Sequence, residues 1–231
     1  MAYTIVEARA NIRAVFQNLG ERAVLDETLD VAISSGLRRL SYDRPAVTEV
    51  TLAAPVQPDY PLSTLTGWTD GFSSIREIRV APVTGRIYDP AVLDPRDYRV
   101  VGNRLYIGDP SSPSGLVVEF TVPWTVAGVD GASSTTLAPH LESAHLWISC
   151  HFLALAMAAK MAGTTDRQLQ ADFINFRTRS DDYRAIAKEY EENYRSELGF
   201  YGKAAAPVIS SSPAYRYSSS SQYPVRRQVR I

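Results

Sequence analysis

Apolar residues recur at helical spacing near the start of the chain and predict two helices. The first helix has its apolar face at Ala8, Ile12, Val15, Phe16 and Leu19. Thr4 and Glu7 form a capping box in front of it, and Gly20 suits the position just past its end. The second helix is predicted over residues 26–40, with one apolar face at Leu29, Ile33, Leu37 and Leu40. Pro45 prevents its continuation.

The pattern changes to short apolar runs between Val47 and Trp124, which predicts a β region of four to six strands. The predicted strands are 47–52, 75–80, 86–89, 98–101, 104–107 and 116–124. Gly102 and Asn103 supply the positive φ angles of a two-residue turn, so the strands on either side of them are predicted to form a hairpin. Residues 53–74 are rich in Pro, Ser, Thr and Gly and are predicted to form a long loop around Trp68.

Helical spacing returns after a linker at residues 127–136. One helix is predicted from a first turn at Pro139 to Met161. Many of its positions carry small residues, namely Ala144, Ser149, Cys150, Ala154, Ala156, Ala158 and Ala159. Small side chains permit close packing of helices, and we expect Ala154 and Ala158 to lie in such a contact.

A cap at residues 164–166 predicts a further helical stretch after this helix. The last helix is predicted over residues 180–198, with Gly199 as its stop. Its apolar and aromatic stripe consists of Tyr183, Ile186, Ala187, Tyr190 and Tyr194.

The order of these elements predicts an α+β fold in which a helical core carries an inserted small antiparallel β domain and an extended C-terminal tail. The predicted divisions are 1–44 for the N-terminal helices, 45–126 for the β-rich insertion, 127–202 for the C-terminal helices and 203–231 for the tail. The apolar run at 146–163 has the length of a membrane span, but it contains Ser149, His151 and Lys160. We interpret it as a buried core helix, and the N-terminus has no signal-peptide pattern.

Charge is unevenly distributed along the 231 residues. The chain has 24 basic and 25 acidic residues and a net charge of −1, which disfavours a dedicated nucleic-acid-binding protein. No Asp or Glu follows Glu197, and residues 203–231 contain five cations: Lys203, Arg216, Arg226, Arg227 and Arg230. Removing these five charges from the total of −1 leaves −6 on residues 1–202, so a mildly acidic body precedes a basic tail.

The tail combines Ser and Pro with tyrosines, arginines and alternating apolar residues. Tyr223, Val225, Val229 and Ile231 lie on one side of an extended chain, whereas Arg226, Gln228 and Arg230 lie on the other. This pattern predicts a strand that docks on a partner, and the alternative is a terminus without a role. The candidate partner-binding residues are Tyr215, Arg216, Tyr217, Tyr223, Val225, Arg226, Arg227, Val229, Arg230 and Ile231.

The sequence contains no recognisable catalytic, phosphate-binding or metal-binding motif, and we expect a non-enzyme without cofactor or metal. His140, His145 and His151 are spaced five and six residues apart, unlike a metal-binding pair. We expect His145 to form a helix-surface contact with Glu142, three residues before it. Cys150, the one cysteine, is expected to be buried and inert. The Tyr/Arg clusters at 98–99 and 104–106 are predicted to make cross-strand contacts rather than to stack bases.

The joint order of five segments resembles a tailed-bacteriophage head–tail adaptor, also called a connector or head-completion protein. The segments are Gly36-Leu-Arg-Arg-Leu in the second helix, Asp97-Tyr-Arg-Val-Val-Gly-Asn-Arg-Leu-Tyr-Ile, Val-Glu-Phe-Thr-Val-Pro-Trp at 118–124, the small-residue helix after Pro139, and Phe173-Ile-Asn-Phe-Arg-Thr-Arg-Ser-Asp-Asp-Tyr. They span residues 26–198. None of them is a catalytic motif.

The resemblance implies a helical core whose copies form a ring, typically of twelve, in the virion neck after assembly in the host cytoplasm. Such a ring docks the portal protein, extends the DNA channel without specific DNA binding, and offers a platform for the next neck or tail protein. By the same resemblance, the basic tail is expected to anchor on the portal.

Three alternatives stay open at this point. The first is another neck or tail-completion protein, such as a stopper or tube terminator, although stoppers are usually shorter and dominated by β structure. The second is a nucleic-acid-binding module that uses the Tyr/Arg tail, and it predicts steeply salt-dependent DNA affinity. The third is an enzyme with an unrecognised site, and it predicts a concave pocket with perturbed acids or histidines.

Overall fold

The computed structural model of the chain describes residues 3–17, 24–81, 91–108, 115–163 and 175–199. These residues have the predicted α+β fold, with four α-helices and two small antiparallel sheets. The helices are α1 (Ile5–Gln17), α2 (Asp26–Asp43), α3 (Glu142–Gly163) and α4 (Asn175–Glu197). The strands are β1 (Ala46–Leu52), β2 (Asp59–Pro61), β3 (Ile75–Val80), β4 (Tyr98–Val101), β5 (Arg104–Ile107) and β6 (Leu116–Val122).

Local signals in the sequence explain how α1 begins. The predicted capping box is present, because the Thr4 N–H donates to Glu7 Oε2 at 3.1 Å and the Glu7 N–H donates to Thr4 Oγ1 at 3.4 Å. The apolar face of α1 is buried at Ala8, Ile12 and Phe16. The predicted positions Leu19 and Gly20 lie outside the described residues.

The predicted end of α2 was three residues too early. The helix continues to Asp43, and the Arg44 N–H still donates to the Leu40 carbonyl at 2.8 Å. Side-chain contacts stabilise this last turn, since Arg39 Nε and the Tyr194 hydroxyl each donate to Asp43 Oδ2 at 2.8 Å. The apolar face is buried as predicted, at Leu29, Ile33, Leu37 and Leu40.

The predicted start of α4 was five residues too late. Ser180 does not begin the helix but lies inside it, where its Oγ donates to the Ala158 carbonyl of α3 at 3.1 Å. The predicted stripe faces the core, with Tyr183, Ala187, Tyr190 and Tyr194 buried and Ile186 partly buried. Gly199 follows the helix with a φ of 76°, as its predicted role as a stop requires.

The two sheets are small and antiparallel. The first has the strand order β1-β6-β3 and the second has the order β2-β5-β4. The predicted hairpin β4–β5 is confirmed, with a register of Val101 opposite Arg104. Its turn differs from the prediction, because Gly102 has a positive φ of 59° but Asn103 does not, so only the first central residue of the turn needs the freedom of glycine. Strand β6 ends at Val122, two residues before its predicted end, because Pro123 follows and has no N–H to donate. The predicted strand at 86–89 lies outside the described residues.

The prediction that residues 53–74 form one long loop was wrong. They include β2 and a 3₁₀ turn at Leu62–Thr64. Strand β2 pairs with β5, and Arg104 Nε donates to Asp59 Oδ1 across this pair at 2.8 Å. Strand β2 was not predicted because it is short and ends in proline, a residue that argues against a central strand but is tolerated in an edge strand such as β2.

Separate apolar clusters form inside the helical body and the β region. The helical cluster contains 21 buried residues from all four helices and neighbouring loops, whereas the β cluster contains 10. Helix α3 packs against α2 and α4, and its length and composition alone would suit a membrane span. Half of its most apolar stretch is buried in the protein. The prediction of a buried core helix therefore holds for one side of α3 only, since Leu155, Ala156, Ala159 and Lys160 are exposed. Ala154 and Ala158 are among the buried positions, as expected for a close helix contact.

Candidate partner-binding surfaces

All ten predicted tail residues, from Tyr215 to Ile231, lie outside the described residues. Their predicted role therefore stays a prediction. The body of the protein offers three other kinds of feature that could carry chemistry or binding: buried titratable groups, exposed apolar side chains and grooves.

The predicted surface contact between Glu142 and His145 was wrong. His145 is fully buried, and its Nδ1 lies 3.1 Å from the Tyr3 hydroxyl. Its Nε2 lies 3.2 Å from the Ile33 carbonyl. The Ile33 carbonyl can only accept, so Nε2 carries the proton and Nδ1 accepts from Tyr3. The imidazole of His145 therefore connects α3 both to the N-terminal segment and to α2, which is a structural role.

Burial keeps this histidine neutral. Desolvation lowers the pKa of His145 to about 4, and the hydrogen bond to the Ile33 carbonyl opposes that shift only in part. The pKa of the Tyr3 hydroxyl is raised, chiefly by burial. Sequence periodicity could not reveal this cluster, because Tyr3 and Ile33 are far from His145 along the chain. The one available signal was the position of His145 on the apolar side of a helix.

Cys150 is buried, as predicted, and desolvation raises the pKa of its thiol to about 12. A thiol in that state is a poor nucleophile at neutral pH. Within the described ranges, no group of three or more His, Cys, Asp or Glu side chains could hold a metal ion. His140 is exposed, and His151 Nδ1 lies 2.8 Å from the Ala187 carbonyl, where it connects α3 to α4.

The Tyr/Arg clusters of the hairpin make the predicted cross-strand contacts. The Arg99 guanidinium lies 5.4 Å from the centre of the Tyr106 ring, which is directly opposite in the register. Arg104 forms an ion pair with Asp59 of β2. That guanidinium, through its hydrogen bond, lowers the pKa of the Asp59 carboxyl. Both arginine side chains therefore have partners on a neighbouring strand, as the sequence predicts.

The helical body exposes several large apolar side chains, three of them on or beside its first two helices. Val6 of α1, Val31 of α2 and Leu25, which immediately precedes α2, are each about two-thirds exposed, at 67%, 68% and 68%. Exposed apolar side chains of this size on neighbouring helices are candidates for a contact between proteins, although single ones are common on any surface.

A groove of about 600 Å³ lies in the β region beside strand β4. Its apolar wall includes Leu62, Trp68, Ile75, Tyr98 and Val100. Among the described residues, Asp70 is the one charged residue that lines it, and this carboxylate accepts hydrogen bonds from Trp68 Nε1 at 3.0 Å and from Asn103 Nδ2 at 3.3 Å. The sequence analysis missed this groove, because its lining comes from the segment predicted to be a loop and from the hairpin.

The comparisons with known proteins add no identification. No protein-family model matches the chain, and no curated protein matches it significantly.

Proposed function

We propose that this chain is a structural subunit of the neck of a tailed bacteriophage. In this proposal its copies form a ring, of about the twelve that the family resemblance implies, between the portal vertex of the capsid and the tail. The ring docks the portal, extends the DNA channel and offers a platform for the next neck or tail protein. The observation that carries the proposal is the order of elements, in which two helices, a β insertion and two further helices build one helical body.

The manner in which the β region is inserted supports this proposal. Strands β1 and β6 are antiparallel neighbours with Ala46 opposite Val122, so the insertion leaves and re-enters the helical body at one place. Hydrogen bonds join the two parts there, from the Trp124 N–H to Ser41 Oγ at 3.0 Å and from Trp124 Nε1 to the Arg44 carbonyl at 2.6 Å. A helical body of this kind can line a ring while the β region extends from it.

Charge and exposed apolar surface also agree with a ring around DNA. A body charge of −6 disfavours tight phosphate binding, and phosphate binding would oppose DNA movement through a channel. Val6, Leu25 and Val31 are the side chains we propose for the contact between neighbouring copies. The basic tail is proposed to dock an acidic groove of the portal by strand addition and charge pairing.

The test is sedimentation of the purified chain with the portal protein from the same source. We expect the full-length chain to join the portal ring in many copies, and a variant that ends at Lys203 to lose most of this binding. A double variant, Val6→Asp with Val31→Asp, should weaken the association between copies, whereas Ser133→Asp in an exposed loop serves as the matched control.

Two outcomes would count against the proposal. If neither the full-length nor the shortened chain binds the portal, the adaptor assignment is wrong. If the chain instead binds DNA with an affinity that falls steeply with salt and is lost with the tail, the nucleic-acid-binding alternative takes its place.

A further inference from the structure

Strand β4 offers a free edge within the described part of the β region. In the hairpin, Val101 lies opposite Arg104 directly beside the turn, and the Gly108 N–H donates to the Asp97 carbonyl at 2.7 Å. Hydrogen-bonded and non-hydrogen-bonded pairs alternate along an antiparallel ladder. Asp97 and Gly108 form a hydrogen-bonded pair, so Tyr98 with Ile107 and Val100 with Leu105 are the non-hydrogen-bonded pairs. The backbone groups of Tyr98 and Val100 therefore point away from β5, toward the open side of the sheet.

The other sheet edges are less available. Strand β2 is three residues long and ends in Pro61. The outer edge of β3 is bonded to the following segment, since the Leu93 N–H donates to the Ile78 carbonyl at 2.8 Å. Strand β1 has a long edge, but none of its residues lines the groove beside β4. Only β4 combines an open edge with an apolar groove among the described residues.

The side chains at this edge define what would fit there. Tyr98 and Val100 line the groove, and Val100 is 46% exposed. A strand added to β4 in antiparallel pairing would place alternate side chains over the same groove. Apolar side chains would match this groove, and one cation among them could pair with the exposed Asp70.

The C-terminal segment of this chain has that pattern. The odd positions from 223 to 231 carry Tyr, Val, Arg, Val and Ile. Pro224 has no N–H to donate, so it has to face away from β4, and the odd positions then bond to the strand and lie over the groove. This register places Arg227 in the middle of the apolar side, where its charge complements that of Asp70.

We propose that residues 223–231 add as a strand to the free edge of β4 of the same chain, with Arg227 paired with Asp70. The 23 residues from 200 to 222 can span up to about 75 Å when extended, which is more than the distance across a domain of this size. A tethered segment has an effective concentration near the millimolar range, so in dilute solution it occupies its own groove ahead of a neighbour's.

This contact would cover a strand edge that otherwise invites pairing between copies. It does not rest on the proposed neck function, because it concerns the isolated chain and needs no portal. In a virion the same tail would have to leave β4 before it could dock on another protein.

Cross-linking of the full-length chain tests the placement. Val100→Cys with Val229→Cys, treated with a short bismaleimide, is compared with Val47→Cys plus Val229→Cys. Val47 is 44% exposed on β1 and so matches Val100 in accessibility. Cys150 is buried and should not react. We expect at least a tenfold higher intramolecular yield for the first pair, read by mass spectrometry and lost in urea.

A charge exchange tests the pairing. Asp70→Arg should reduce the yield of the Val100–Val229 cross-link several-fold, and Asp70→Arg with Arg227→Asp should restore it. Circular dichroism confirms that each variant is folded. Equal yields for the Val100 and Val47 pairs would overturn the docking site. Cross-links mainly between chains at low concentration would overturn the intramolecular contact, and failure of the charge exchange would overturn the Asp70–Arg227 pair.

Discussion

The helical body and the β region are stabilised in different ways. Among the described residues, the helical body has a large cluster of 21 buried apolar residues and a small one at Met157, Ala158 and Tyr183, and the buried His145 beside them bonds to Tyr3 and to Ile33. The described part of the β region has an apolar cluster of 10 buried residues beneath two thin sheets, and several of its polar contacts are exposed ion pairs. The stability of the helical body therefore depends on close packing and on buried polar groups, whereas the stability of the β region depends on a few large buried side chains. Single substitutions can test each side of this difference.

The largest effect is expected from Phe120→Ala in the β region. Phe120 is fully buried in β6, and its ring lies 5.4 Å from that of Trp68. Loss of such a side chain costs about 4 kcal/mol of unfolding free energy, a large share of what a small core supplies. Hydrogen exchange should show the peptide at 116–122 opening while the peptide at 142–163 stays protected. Equal loss of protection in both peptides would show that the two regions unfold as one unit.

The next effect is acid destabilisation through His145. Its pKa is about 4 in the folded protein and about 6.5 when exposed, so the unfolded chain binds the proton more readily. The contribution of His145 to the free energy of unfolding is therefore constant above about pH 6.5 and falls as the pH drops toward 4, by on the order of 3 kcal/mol. Urea unfolding at a series of pH values measures this loss of unfolding free energy.

The control for this prediction is His140→Gln, which removes an exposed histidine and should leave the acid dependence unchanged. His145→Gln should be less stable at neutral pH and should show a shallower fall between pH 6.5 and 4. An unchanged slope in that variant would contradict the role given to His145.

A smaller effect is expected from Gly36→Ala, which tests close packing between α2 and α3. A Cβ at Gly36 would lie 2.5 Å from Ser149 Oγ and 3.1 Å from the Ser149 Cα. Alanine normally favours a helix by about 1 kcal/mol over glycine, but overpacking at this contact should exceed that gain and leave a net loss of about 2 kcal/mol. Ser35→Ala, on the same turn but partly exposed, is the matched control and should be neutral or slightly stabilising. A stabilised Gly36→Ala protein would show that the helices do not approach this closely.

The smallest effect is expected from Arg104→Gln. The ion pair with Asp59 is exposed and screened by salt, so its loss should shift the thermal midpoint only slightly. The shift should be largest at low ionic strength and should disappear in high salt. A large shift that persists in high salt would mean that the β region depends on ion pairs more than on its apolar cluster.

Local signals allowed much of this fold to be predicted from the sequence. The Thr4–Glu7 capping box, the hairpin turn at Gly102 and the buried stripe of α4 depend on residues within one or two turns of one another. Such patterns are visible in the chain itself because the interacting groups are neighbours in sequence.

Long-range contacts explain what could not be predicted. Strand β2 forms because it pairs with β5, about 45 residues further on, and α2 is extended by contacts of Asp43 that include Tyr194. His145 is buried because Tyr3 and Ile33 provide partners from distant parts of the chain. The groove beside β4 likewise depends on residues from separate segments, and no local pattern indicates it.

The proposed function is tested most directly by the native mass of the full-length chain mixed with the portal protein. We expect a complex in which many copies of this 25.5 kDa chain, close to twelve, are added to one portal ring. A mixture in which the portal ring keeps its own mass and the chain remains separate at all concentrations would contradict the proposal.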